Sequence, residues 1–141
     1  MPLVEIMMKE FESSWWSIEL LPGWRAERED CCTAISSEKG VGALQVSAYH
    51  HDGEPVSEKD LSEFSEGDYP EGVSVIDERL GAFTGLHVSF SENGTYWRKW
   101  WLRKDSLLLF VTYNCSVENQ HAEYAAVDQM VAAIKPKAPA A

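Results

Sequence analysis

The chain lacks most of the signatures by which catalytic and membrane proteins announce themselves. No apolar run approaches the roughly 20 residues needed to span a bilayer, so no membrane helix is expected. There is no Gly-x-Ser-x-Gly elbow to present a nucleophile. Gly40-Val41-Gly42 lacks the further glycine, the lysine and the strand–helix setting of a phosphate-cradling loop. Cys-x-x-Cys is absent, which removes the common zinc and redox spacings. Bases are scarce: 12 Lys and Arg against 23 Asp and Glu leave a net charge of −11, a field that repels phosphate backbones and argues against nucleic-acid partners. These absences point away from an enzyme and toward a protein that needs no cofactor and no metal.

What is present suits one globular domain. A chain of 141 residues, 45% hydrophobic and 25% charged, buries a core without staples. The start, Met1 to Glu10, carries acids at positions 5 and 10, no basic leader and no anchoring cysteine, so a cytoplasmic setting is expected. The three cysteines read as reduced and mostly buried. Cys31 and Cys32, if placed on a strand, point to opposite faces and bridge poorly. The layout expected is an N-terminal segment over 1–10, a domain over 11–134 and a flexible tail over 135–141, where Pro136 and Pro139 stop a helix.

The second half fixes the architecture. Ala82 to Phe90 is followed by Asn93-Gly94, whose tolerance of positive φ suits a type I′ hairpin turn. Tyr96 to Leu102, the step Asp105-Ser106, and Leu107 to Tyr113 complete an antiparallel meander. Upstream, Phe11 to Leu20, Cys31 to Ser36 and Ala43 to His50 alternate as strands, and Val73 to Leu80 is a fourth. Between them the period changes. Ser57 with Asp60 three residues on makes a weak capping box, Val56 and Leu61 are spaced as a hydrophobic staple, and Gly67 ends the short helix. Val117 to Ile134, capped by Ser116, reads as a long amphipathic helix with Tyr124, Val127, Val131 and Ile134 on one stripe.

Leu107 to Val111 is apolar at every position, and Trp100 and Trp101 fall on opposite faces of the strand before it. A sheet covered on one side only has no use for this pattern. The fold class expected is therefore α+β: an α/β/α sandwich around a mostly antiparallel sheet of about seven strands, with a short middle helix, a long C-terminal helix and the 107–113 strand near the centre.

Three strands, a helix, four strands and a last helix, with the early step Trp16-Ser-Ile-Glu-Leu-Leu-Pro-Gly-Trp24, resemble the PsbP-like (Mog/PsbP-type) fold, which several bacterial families of unknown role share. The resemblance covers Phe11 to Ile134 and implies binding or assembly roles rather than catalysis. It transfers no site residues, because fold alone does not give function.

Candidate contact residues come from two segments. Between Asp52 and Glu71 stand eight acids against Lys59 alone; Glu58, Asp60 and Glu63 on the short helix are the candidates for meeting a basic protein partner. In Trp97-Arg-Lys-Trp-Trp-Leu-Arg-Lys104, Trp97, Lys99, Trp101 and Arg103 share a face, either as a contact surface or as core tryptophans under snorkelling cations. His50-His51-Asp52 with Glu54 is the one cluster of metal-ligand types, and His87 or His121 would have to complete it. The function expected is binding of a protein partner without catalysis. The alternatives are an immunity protein that neutralises a basic bacterial toxin, and an enzyme or metal protein built around His50, His51 and Cys115.

Overall fold

The computed structural model describes residues 9–51 and 53–137. In chain order the elements are β1 (Lys9–Glu12), β2 (Trp16–Leu20), β3 (Trp24–Arg28), β4 (Thr33–Ser37), β5 (Gly42–His50), α1 (Glu58–Ser65), β6 (Ile76–Leu80), β7 (Phe83–Glu92), β8 (Thr95–Lys104), β9 (Leu107–Ser116), α2 (Tyr124–Ala132) and β10 (Lys135–Pro136). The main sheet has seven strands in the order β3-β4-β5-β9-β8-β7-β6, antiparallel throughout, and β9 lies at its centre. A second sheet of three strands, β1-β2-β10, stands apart from it.

The meander forms as its turn chemistry requires. Asn93 and Gly94 both take positive φ (53° and 81°) and join Glu92 to Thr95. Asp105 does the same (52°) between the paired Lys104 and Leu107. Gly85 serves a different need: a Cβ there would collide with the carbonyl of Trp101 on the neighbouring strand.

Both faces of β9 are covered. Leu107, Leu109, Val111 and Tyr113 join the larger core, with Trp16, Ile18 and Leu20 of β2, Trp100 and Leu102 of β8, and Val127, Met130 and Val131 of α2. Leu108 turns the other way into a smaller cluster with Val56, Leu61 of α1, Val88 and Trp101. The sandwich expected from the all-apolar strand is present, with α1 on one face and α2 plus the small sheet on the other.

Several expectations need correction. The first strand is two: Ser13-Ser14 break the run, Ser13 N–H donates to the Trp16 carbonyl at 2.8 Å, and β1 folds back on β2 with Phe11 opposite Ile18. β3 is a strand where none is expected: on this edge of the sheet only Trp24 is buried, while Arg25, Glu27 and Arg28 face water. The long C-terminal helix is short. Residues 117–119 form a single 3₁₀ turn, and α2 begins at Tyr124, where the apolar stripe begins; the preceding Glu118-Asn-Gln-His-Ala-Glu123 offers nothing to dock. Ser116 makes no side-chain cap; its Oγ accepts from the Asn119 side-chain amide at 3.0 Å.

The cysteines differ from expectation as well. Cys31 is exposed and Cys32 half-buried on the turn between β3 and β4, and Cys115 alone is buried. Burial first, and then its neighbour Cys31 and Glu29, push the Cys32 thiol up to about 11. Finally, the expected tail is partly pinned: Lys135 and Pro136 pair with Ser17 and Trp16, and Lys137 N–H donates to the Trp15 carbonyl at 2.9 Å. The rest of that tail, from residue 138 on, lies outside the described residues, as do residues 1–8 of the N-terminal segment.

Candidate functional site

The surface with the most to offer a partner lies beside α1. Helix α1 starts where its side chains can satisfy its first amides. Asp60 N–H donates to Ser57 Oγ at 3.1 Å, and Ser57 N–H donates to the Asp60 carboxylate at 2.9 Å. That bond to the backbone amide of Ser57 is the first cause holding the Asp60 carboxyl below its ordinary range. Leu61 and Ser65 face the sheet, while Asp60, Glu63 and Phe64 lean toward the end of β5.

Between α1 and β5 opens a cleft of about 460 Å³ lined by Tyr49, His50, His51, Val56, Asp60, Glu63, Phe64 and Leu108. Its floor is apolar, from the buried Val56 and Leu108. Its walls are two aromatic rings left in water: Tyr49 is 47% and Phe64 42% exposed, with ring centroids 5.1 Å apart and planes tilted by 57°. Asp60 and Glu63 give one rim a negative charge. His50 stacks on Trp15 at 4.2 Å, and His51 sits 3.8 Å from Glu54. Exposed aromatic pairs beside uncompensated charge are uncommon on a surface unless something covers them.

The structure divides the seven predicted contact residues. Trp101 is fully buried, stacked on Phe110 at 5.5 Å and packed near Tyr69, so it is core and not surface. Lys99 Nζ donates to the Asp68 carbonyl at 2.7 Å and lies over the rings of Phe90 and Trp97. Arg103 donates to the Val56 carbonyl at 3.2 Å and lies 3.7 Å from Glu58. These two cations clamp the chain on either side of α1. Trp97 is half-buried under Lys99. Glu58 points away from the cleft, toward β6 and β7, whereas Asp60 and Glu63 line it. Of the acids in the 52–71 segment, Asp52 lies outside the described residues.

Sequence reasoning singles out neither Tyr49 nor Phe64 as a contact residue. Tyr49 alternates outward on its strand, which was legible. Phe64 occupies an apolar position one turn from Leu61 and reads as core; the helix is rotated so that Leu61 and Ser65 take the sheet. Among the described residues, no group of three His, Cys, Asp or Glu side chains is placed to hold a metal ion.

On the opposite face a charged group is built into the core. Arg98, 2% exposed, lies over the rings of Trp100 and Tyr124 and pairs with Asp128 of α2. Its Nε and Nη1 find no acceptor among the described residues. His87 stacks on Trp100 at 4.5 Å and shares a 3.0 Å hydrogen bond between its Nδ1 and Glu78. Burial first, then the Arg98 charge, lower the His87 pKa, against the opposing pull of Glu78.

Among the described residues no helix is long and apolar enough to cross a membrane. No family model matches the chain, and a search of curated proteins finds no match. Solved structures do match. A protein of Bacteroides thetaiotaomicron superposes with a TM-score of 0.68 at 18% identity over 92% of this chain, which spans about half (48%) of that protein's length. LpqN of Mycobacterium tuberculosis, described as involved in cell envelope biogenesis, gives a TM-score of 0.58 at 14% identity, over 94% of this chain and 91% of its own. Cyanobacterial PsbP (CyanoP) from Synechocystis gives a TM-score of 0.62 at 6% identity, with 94% of both chains covered. At such identities the likeness speaks for the backbone alone, and it agrees with the order of strands and helices described above: the chain has the PsbP-like fold.

Proposed function

We propose that the protein is a non-catalytic binding module that acts through contacts with another protein, made at the cleft between β5 and α1. One observation carries this reading: two large aromatic rings, Tyr49 of β5 and Phe64 of α1, stand half in water over an apolar floor, where burial in a partner would gain most. Of its titratable groups, Asp60 is engaged in the helix cap and His51 lies 3.8 Å from Glu54, which suits contact rather than turnover. A cytoplasmic setting belongs to this reading.

The test is affinity capture from the native host with the protein and with Phe64→Ser, followed by reconstitution of any captured protein in purified form. Capture of the same protein by both forms, with equal affinity on reconstitution, would end the assignment to this cleft.

A second reading, neutralisation of a basic bacterial toxin, is favoured by the acids of α1, of which Glu58 and Glu63 are fully in solvent. Asp60 is unsuitable for testing it because it caps the helix. Glu58→Lys with Glu63→Lys leaves the cap intact; a toxin bound by steering loses affinity and salt sensitivity together in this variant. Unchanged affinity and salt slope would remove the reading.

A further inference from the structure

We infer that the cleft takes a short cationic and apolar peptide segment, an arginine or lysine side chain entering between Tyr49 and Phe64 with an apolar neighbour on Val56 and Leu108. This rests on the binding reading above and names the chemistry of its partner.

The argument starts from how this molecule treats its other rings. Arg28 lies over Phe11 at 4.9 Å; Arg98 over Trp100 and Tyr124 at 4.6 and 4.1 Å; Lys99 over Phe90 and Trp97 at 5.7 and 5.2 Å. Five rings, all but the buried Trp100 partly exposed, lie under one of the protein's own few cations. Among the described residues the Tyr49–Phe64 pair has no such cover, although it is among the more exposed. A cation supplied from outside completes the pattern, because the negative ring faces attract it.

Charge agrees with that occupant. Asp60 and Glu63 stand on the cleft wall and Glu54 beside His51, within reach of a guanidinium seated on the rings. No lysine or arginine among the described residues lines the cleft. Arg103 is held at the Val56 carbonyl and Glu58 on the far side of α1, and Lys59 is exposed on the helix without lining the cleft. An acidic segment would meet like charges here, and a purely apolar one would leave Glu63 to be desolvated without a partner. A volume of about 460 Å³ holds two or three side chains, which fits a linear segment better than a broad flat surface.

Three capped hexapeptides test this by calorimetry and by amide shifts of the labelled protein: GLRRLG, GLQQLG and GLEELG. The expected result is that GLRRLG binds at least roughly tenfold more tightly than GLQQLG, with GLEELG weakest, and that shifts cluster on residues 49–51 and 60–64. Phe64→Ser should weaken GLRRLG by roughly tenfold, and Glu63→Lys by severalfold with a flatter salt dependence. Both sites are exposed, and an unchanged spectrum outside the cleft checks that the variants fold. Equal binding of the three peptides, or GLRRLG binding untouched by both variants, overturns the inference. So does a dimer in sedimentation that Phe64→Ser dissolves, which would assign the cleft to a second copy of the chain. If no peptide binds while a host protein is still captured in a Phe64-dependent way, the peptide chemistry is wrong and the binding role stands.

Discussion

The two faces of the main sheet are covered by the same kinds of residue to opposite ends. The α2 face is dense: Trp16, Trp100, Phe83, Tyr113 and the aliphatic side chains of β2, β5, β9 and α2 exclude water, and even a guanidinium is enclosed. The α1 face has a small cluster centred on Trp101, and its helix is held largely by polar clamps, Lys99 on the Asp68 carbonyl and Arg103 on the Val56 carbonyl. Clamps of this kind fix a helix in place without consuming its flank. Phe64 and Tyr49 are thereby left in solvent. One face supplies stability, and the other displays.

The comparison breaks if the faces prove energetically alike. Trp100→Ala, in the dense core, should cost about 3–5 kcal/mol in denaturant unfolding, since it opens a cavity and removes the ring on which both Arg98 and His87 stack. A loss under ~2 kcal/mol would mean that α2 and the small sheet collapse easily onto the gap. A sharper contrast comes from adjacent residues on β9. Leu109→Ala should cost about 4 kcal/mol, because its surroundings are closed, and Leu108→Ala about 2 kcal/mol, because the floor of an open cleft relaxes or takes water. Equal costs would show that the cleft closes in solution.

Much of this asymmetry was legible and part was not, for reasons tied to particular residues. The run Leu107–Val111 and the pair Trp100–Trp101 declare a two-sided sheet directly, since period two assigns each side chain a face. The turn at Asn93-Gly94 and the cap at Ser57 were readable because their chemistry is local. Ser13-Ser14 was misread because a hairpin in which both strands carry alternating apolar residues looks like one longer strand. The helix from 117 was overextended because a stripe at 124–134 says nothing about where a helix starts. The cleft was hardest. Whether Phe64 packs inward or outward depends on a rotation of α1 set by Leu61 against Trp101, a contact between positions about 40 residues apart. The same holds for Lys99 and Arg103, whose carbonyl partners lie 31 and 47 residues away.

Smaller effects sharpen the contrast. Lys99→Met keeps the stem over Trp97 and removes the bond to the Asp68 carbonyl. The expected cost is about 1–2 kcal/mol, with faster amide exchange confined to residues 66–73. If exchange rises equally on α2, the clamp is not local. On the other face Arg98→Met should stay within about 1 kcal/mol of the parent. Two of its nitrogens, Nε and Nη1, lack acceptors among the described residues, and Asp128, left alone, is half in water.

The smallest expected effect is a titration. His87 has a pKa below the 6.5 of a free imidazole, because burial and Arg98 oppose its charge. The unfolded chain therefore takes up a proton at this site before the folded one does. Its contribution to stability is complete above the unfolded pKa of 6.5, declines as pH falls through that value, and stops changing below the folded pKa. Asp60, also lowered, acts at and below its ordinary 3.8, outside the range titrated for His87. Denaturant midpoints between about pH 7.5 and pH 5 should thus fall in the parent and fall less in His87→Gln. Parallel slopes would mean that Glu78 compensates the charge in place. The dense face would then tolerate a proton as readily as the open one.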